Sequence, residues 1–241
     1  MPPIHEYTNW NSRSSDSKEQ IETYKKYFFI CEGANTETYY FRRLIDLRKD
    51  LRIHPLIDVW LLEKTDKDRD ISFPKHLFDF YKKIKEDLGD SFETGQDKMI
   101  IVFDGDIYEE KNLGYDELIE EIEKNDIAAI SNPNFELFLC LHIEGFYEKY
   151  IQGNENDFMK KDSKGRYSHA KKMLRNLIGM NSKSNPKIGE LAKEINTAIK
   201  QEKNINEDIH KIKGRIGCNV ASIIESIILD SPENWFYIYF W

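Results

Sequence analysis

Cysteine is scarce in this sequence, and what there is does not make a framework. Cys31, Cys140 and Cys218 are three in 241 residues, odd in number and each set in an apolar segment, which excludes a disulfide scaffold and favours a reducing compartment. Long hydrophobic runs are missing as well. No stretch reaches the ~18 apolar residues of a membrane span, and no basic start followed by an apolar core opens the chain, so a soluble, cytoplasmic protein without membrane contact is expected. Net positive charge is also lacking. At −8 the chain is not a globally basic nucleic-acid binder, although a local basic groove survives that count because steering depends on how charge is distributed. The six histidines are scattered, and Cys140 and His142 stand two apart, on different sides of a helix, which argues against a structural zinc site.

Hydrophobic residues make up 40% of the chain and aromatics 13%, enough for a packed core. The length fits one large domain or an ordinary one with an appended lobe. Residues 1–24 are polar without a sustained period and read as an arm. The segment 25–150 then alternates strand and helix signals. Tyr27–Cys31 is a short apolar strand, and Asn35 or Thr36 starts a helix with Tyr40, Phe41, Leu44 and Ile45 on one face. Residues 56–64 form a strand, and Phe73, Leu77, Phe80, Tyr81, Ile84 and Leu88 make a helical stripe. "MIIVFDGD" (99–106) is the strongest strand; a helix carrying Tyr115, Leu118, Ile119 and Ile122, a strand at 126–131 and the apolar helix of "FELFLCLHI" follow. This order predicts an α/β fold, a mostly parallel central sheet flanked by helices on both faces. Residues 151–241 carry helical stripes over Ile188–Ile199 and Val220–Ile228. A mainly helical C-terminal lobe is expected there, ending in the apolar strand "WFYIYFW", whose alternative fate is an interface in a homodimer.

In an open parallel sheet the ligand site lies outside the carboxyl ends of the strands. Glu32 ends the first strand and Asp104 and Asp106 end the third; if those strands are neighbours, three carboxylates converge. Three such groups cannot all stay ionised without cations among them, which implies a hard metal with oxygen ligands, Mg²⁺ first and Mn²⁺ as its substitute. An Asp-x-Asp alone is common in solvated loops. The apolar run Ile100–Phe103 leading into it, and Gly105 allowing close approach, favour a site. Glu37 reads equally as a further ligand or as a first-turn glutamate favouring the helix dipole. Glu136, in an apolar helix, needs a partner or a metal.

Glu32-Gly33 after a first strand and Asp104-Gly105-Asp106 after a third resemble the Toprim domain, the metal-binding α/β module of topoisomerases, primases and certain nucleases. More narrowly, "CEGANTETYYF" (31–41), "IVFDGD" (101–106) and "SNPNFELFLCLH" (131–142) together resemble the RloB-like family, bacterial proteins with a Toprim core, often encoded beside an ATPase and associated with defence against phage. The similarity is good over residues 25–145 and weak in the C-terminal lobe. It implies a Toprim-like sheet, with Glu32 as a metal ligand or general acid-base group, Asp104 and Asp106 holding Mg²⁺, and Glu37 or Glu136 completing the cage. It also implies an ATPase partner. Lys161 follows the apolar pair Phe158 and Met159 as a lysine follows the core in RloB-like sequences, a place from which it would neutralise charge on a pentavalent phosphate. One departure is Tyr108, where many Toprim members carry a third acidic residue.

Residues 160–175 gather Lys160, Lys161, Lys164, Arg166, Lys171, Lys172 and Arg175 against the single acid Asp162. Such an excess suits a phosphate backbone, with Tyr167 and His169 placed to stack on an unpaired base; the plain alternative is a solvated helix face. The functional expectation is a Mg²⁺-dependent nuclease on DNA or RNA. Two readings compete with it. "IVFDGD" also resembles the nucleophile motif of haloacid-dehalogenase-type phosphatases, although Thr or Val normally stands where Tyr108 is found. The other is a non-catalytic subunit that uses the fold to dock a partner.

Overall fold

The structure, a computed structural model, describes residues 23–63, 74–105, 114–160 and 168–232. Asp106, Tyr108, Lys161, Lys164, Arg166, Tyr167, nearly all of the N-terminal arm and the closing "WFYIYFW" lie outside the described residues.

Strand β1 (Lys25–Cys31) leads into helix α1 (Thr36–Asp46), strand β2 (Ile57–Leu62) and helix α2 (Pro74–Leu88). Strand β3 (Lys98–Asp104), helix α3 (Tyr115–Glu123), strand β4 (Ile127–Asn132) and helix α4 (Phe135–Cys140) follow. The fold is α/β, as the alternation predicts. The five-stranded sheet runs β2-β1-β3-β4-β5, parallel through its first four members.

Side chains alternate along each strand and feed two cores. Tyr27, Phe29 and Cys31 of β1, with Ile100 and Val102 of β3, point to one face, where Tyr40, Phe41 and Leu44 of α1 cover them. Phe28 and Ile30, with Met99, Ile101 and Phe103, point to the other, under Phe78, Tyr81 and Ile84 of α2 and Ile119 and Ile122 of α3. The first crossover helix and the next two lie on opposite faces, and the order in which strands are added to the sheet changes direction between β1 and β3. That is the topological switch point of an open parallel sheet, where a crevice forms at the strand ends.

Beyond residue 150 come α5 (Glu155–Phe158), α6 (His169–Ile178), a 3₁₀ stretch (Pro186–Glu194), α7 (Ile195–Glu202), β5 (Gly217–Cys218) and α8 (Val220–Leu229). Their apolar residues, including Leu174, Ile188, Ile195, Val220 and Ile224, join the α1 face of the sheet in one cluster. The stripe Ile188–Ile199 therefore spans two helical forms. Strand β5 is not announced by the sequence, since two residues carry no alternation; it pairs antiparallel to Ser131 and Asn132. Asn219 extends the pairing with its side chain, accepting from Ile130 N–H at 2.7 Å and donating to Ala128 O at 2.8 Å. Glu202, fully buried, accepts from Ala221 N–H (3.0 Å) and Ser222 N–H (2.7 Å) at the start of α8. Burial raises its carboxyl to about 7.

One buried polar contact pins α1 to the segment after α4. His142 Nδ1 lies 3.1 Å from Phe138 O, and a carbonyl only accepts, so Nδ1 carries the proton and Nε2 accepts from Tyr40 O–H at 2.8 Å. Burial holds the His142 imidazole down at about 4. Its folded pKa is thus below its unfolded one, so its contribution to stability is complete above about 6.5 and is lost as pH falls toward about 4. Tyr40→Phe should cost about 1–3 kcal/mol by leaving Nε2 without its donor, read from urea unfolding at neutral pH. Part of that penalty should disappear near pH 4, where about half of the wild-type imidazole is protonated and has given up the bond.

Candidate functional site

The carboxyl ends of β1 and β3 are adjacent. Cys31 pairs with Val102, and Glu32 N–H continues the ladder to Val102 O at 2.8 Å. One step further the backbone ladder gives way to a side chain: Asp104 N–H donates to Glu32 Oε2 at 3.1 Å. Asp104 in turn accepts from Phe135 N–H through Oδ1 at 2.8 Å, supplying the first turn of α4 with an anionic acceptor. Both acids are half-buried, and each presents a carboxylate to the crevice edge of the sheet.

Two glycines make the close approach feasible. A β-carbon on Gly33 would overlap the Glu37 carboxylate, which folds back over that residue from the first turn of α1. A β-carbon on Gly105 would stand 2.7 Å from Asn132 Cβ, and Gly105 N–H bonds Ser131 O at 3.0 Å. Ser131 lies beside Asp104 in the sheet, and its hydroxyl closes the turn by donating to Asn134 O at 2.7 Å. Asn134 itself is buried, and its Oδ1 has no hydrogen-bond partner among the described residues. At the neighbouring strand end Glu63 is neutralised by Arg42, whose Nε donates to it at 2.6 Å.

The other expected residues are distributed as follows. Glu136, one residue beyond Phe135, is buried and directs Oε1 to Ser182 Oγ at 2.8 Å and to Lys171 Nζ at 3.7 Å. Lys171 therefore faces inward, its side chain only 19% exposed. Burial lowers its pKa, Glu136 and Asp104 oppose that fall, and Lys183 adds to it. Lys172 and Arg175 are exposed on α6. Lys160 pairs with Asp157 at 2.6 Å, and the His169 ring packs edge-on against Phe158 rather than standing open for a base. Ser182 and Lys183 are the neighbours that sequence reasoning missed; only the run of small and polar residues after Gly179 hints at a loop there.

The donor set at the switch point is all oxygen and suits a hard cation. Mg²⁺ is commonly held by one or two carboxylates together with water and substrate phosphate, and carboxylates are the donors that Glu32 and Asp104 offer here. Among the described residues no group of three His, Cys, Asp or Glu side chains is close enough to hold an ion; Asp106, the third member of the expected set, lies outside them. Neither Glu37 nor Glu136 forms such a group with Glu32 and Asp104.

The three segments that carry the family resemblance are bonded to one another: 31–41 to 101–106 through Glu32 and Asp104, 101–106 to 131–142 through Asp104 and Phe135, and 31–41 to 131–142 through Tyr40 and His142. The sequence profile of the RloB-like protein family matches residues 27–227. The chain belongs to the RloB-like family. The match runs through α6, α7 and most of α8, so the helices after residue 150 are part of what defines this RloB-like chain. No curated protein and no solved structure matches it. No helix among the described residues is long and apolar enough to cross a membrane.

The two glycines should respond differently to a methyl group. Gly105→Ala meets a Cβ that cannot swing away, so a loss of about 1–3 kcal/mol is expected. Gly33→Ala meets the far end of a flexible glutamate and should cost clearly less. Chemical denaturation of the two variants side by side checks the order.

Proposed function

We propose that this RloB-like protein is a divalent-metal-dependent phosphodiesterase acting on nucleic acid, with Glu32 and Asp104 at its acidic centre. The observation that carries the reading is the direct bond between those two residues across the switch point, on the edge where α/β sheets bind ligands. Bound there, Mg²⁺ would polarise the phosphoryl oxygen and lower the pKa of a water. The chain's own groups do the rest. Phe135 N–H fixes the orientation of Asp104, and Asp104 N–H fixes that of Glu32. Asp106 follows two positions after Asp104 as the third carboxylate of the resemblance, and Glu37 folds over Gly33, the residue next to Glu32. Lys172 and Arg175 offer exposed charge to the phosphate backbone.

The phosphatase reading needs Asp104 as nucleophile and gives Glu32 nothing to do, whereas the phosphodiesterase reading uses both. As the resemblance implies, the protein works with an ATPase in defence against phage.

The test is Asp104→Asn. Asparagine keeps an oxygen for Phe135 N–H and removes the charge, so the fold and melting temperature should be retained while Mg²⁺-dependent cleavage of a mixed panel of DNA and RNA falls about 100-fold or more. Asp104→Ala should lose the same activity and in addition about 1 kcal/mol of stability. Cleavage by Asp104→Asn at the wild-type rate contradicts the reading.

A further inference from the structure

The basic stretch conceals a division of labour. Lys171 and Lys172 are adjacent in sequence, yet α6 turns them about 100° apart, one inward and one to solvent. Ser168 caps the helix by accepting from Lys171 N–H at 3.2 Å, which places Lys171 in its first turn. From there the side chain reaches α4, where Glu136 Oε1 stands 3.7 Å from the ammonium. That separation is wider than an ordinary hydrogen bond, so the pair is a charge tether. Glu136 is in turn steadied by the Ser182 hydroxyl at 2.8 Å. It is also covalently next to Phe135, whose N–H grips Asp104. Lys171 is thus linked to Asp104 through two successive residues of α4, Glu136 and Phe135, and the Asp104 charge works against the fall in the Lys171 pKa that burial causes.

We propose that Glu136 is a positioning residue: with Ser182 it holds the Lys171 ammonium at the first turn of α4, one residue from the Phe135 amide that grips Asp104, where that ammonium meets a phosphate oxygen of the bound nucleic-acid strand. Glu136 thus acts through Lys171 and not as a metal ligand. The proposal rests on the phosphodiesterase reading and extends it by naming what aligns the phosphate. A single glutamate serves both halves of the site, because the turn that presents Phe135 to Asp104 also presents Glu136 to Lys171.

The experiment is a mutant cycle on the full chain, read by binding of a labelled oligonucleotide in Ca²⁺ at several salt concentrations and by single-turnover cleavage in Mg²⁺. Glu136→Gln retains an acceptor for Ser182 and loses only the charge. A purely structural Glu136 predicts that this variant behaves as wild type. The proposal predicts that Lys171→Ala weakens binding about tenfold and reduces the slope of log K on log salt by ~0.7 to 0.9. Glu136→Gln should weaken binding several-fold, the double variant should be no weaker than Lys171→Ala alone, and Lys171→Arg should recover most of the binding. If Glu136→Gln does not fold, Ser182→Ala crossed with Lys171→Ala carries the same test. Additive losses in the cycle, or wild-type binding by Glu136→Gln, overturn the proposal. The two ideas separate cleanly. A masked cycle with no cleavage by wild type sinks hydrolysis and keeps the positioning role, whereas intact cleavage with an additive cycle sinks the positioning role alone.

Discussion

The hydrogen bond from Asp104 N–H to the Glu32 carboxylate is the constraint around which the site is arranged. It takes over where the β1–β3 ladder ends, so it exists only because the sheet order makes those two strands neighbours. A carboxylate gripped by a backbone amide cannot turn away into solvent, and this one brings its bonded neighbour with it. Asp104 then repeats the device on Phe135 N–H. The result is a short relay from β1 through β3 to α4, closed on its far side by Tyr40 and His142. Two buried rings, a phenol and an imidazole, thereby tie together the helices that flank the acidic groups.

Much of this was legible in the sequence, for identifiable reasons. The strands alternate between two cores, and both faces are covered, so apolar residues at every position of Tyr27–Cys31 and Met99–Phe103 announced buried parallel strands. Glycine following each acid marked the points of close approach. The less legible features are those that depend on distant partners. Asn219 mimics a strand with its side chain, and nothing local distinguishes it from any helix-start asparagine. Residues 160–175 look uniform by charge count, but Lys171 points into the protein, Lys160 pairs with Asp157, and Lys172 and Arg175 face solvent. A charge tally ignores the helix rotation that sorts them.

Glu136 shows the same lesson from the acidic side. Its apolar surroundings implied a partner or a metal, and the described contacts are a lysine and a serine from a segment more than thirty positions away in sequence. The helices after residue 150 share the apolar cluster of the sheet face beneath α1, and through Lys171 and Ser182 they also reach the candidate site. Displacing them would therefore remove the partners of Glu136 as well as the packing.

The central claim is that Glu32 and Asp104 together receive a divalent cation. Crystals of the full chain soaked in Mn²⁺ test it directly by anomalous scattering. The account predicts a peak within about 2.0–2.3 Å of carboxylate oxygens from both residues, lost in Asp104→Asn. Anomalous density absent from this crevice, or found only elsewhere on the chain, would contradict it.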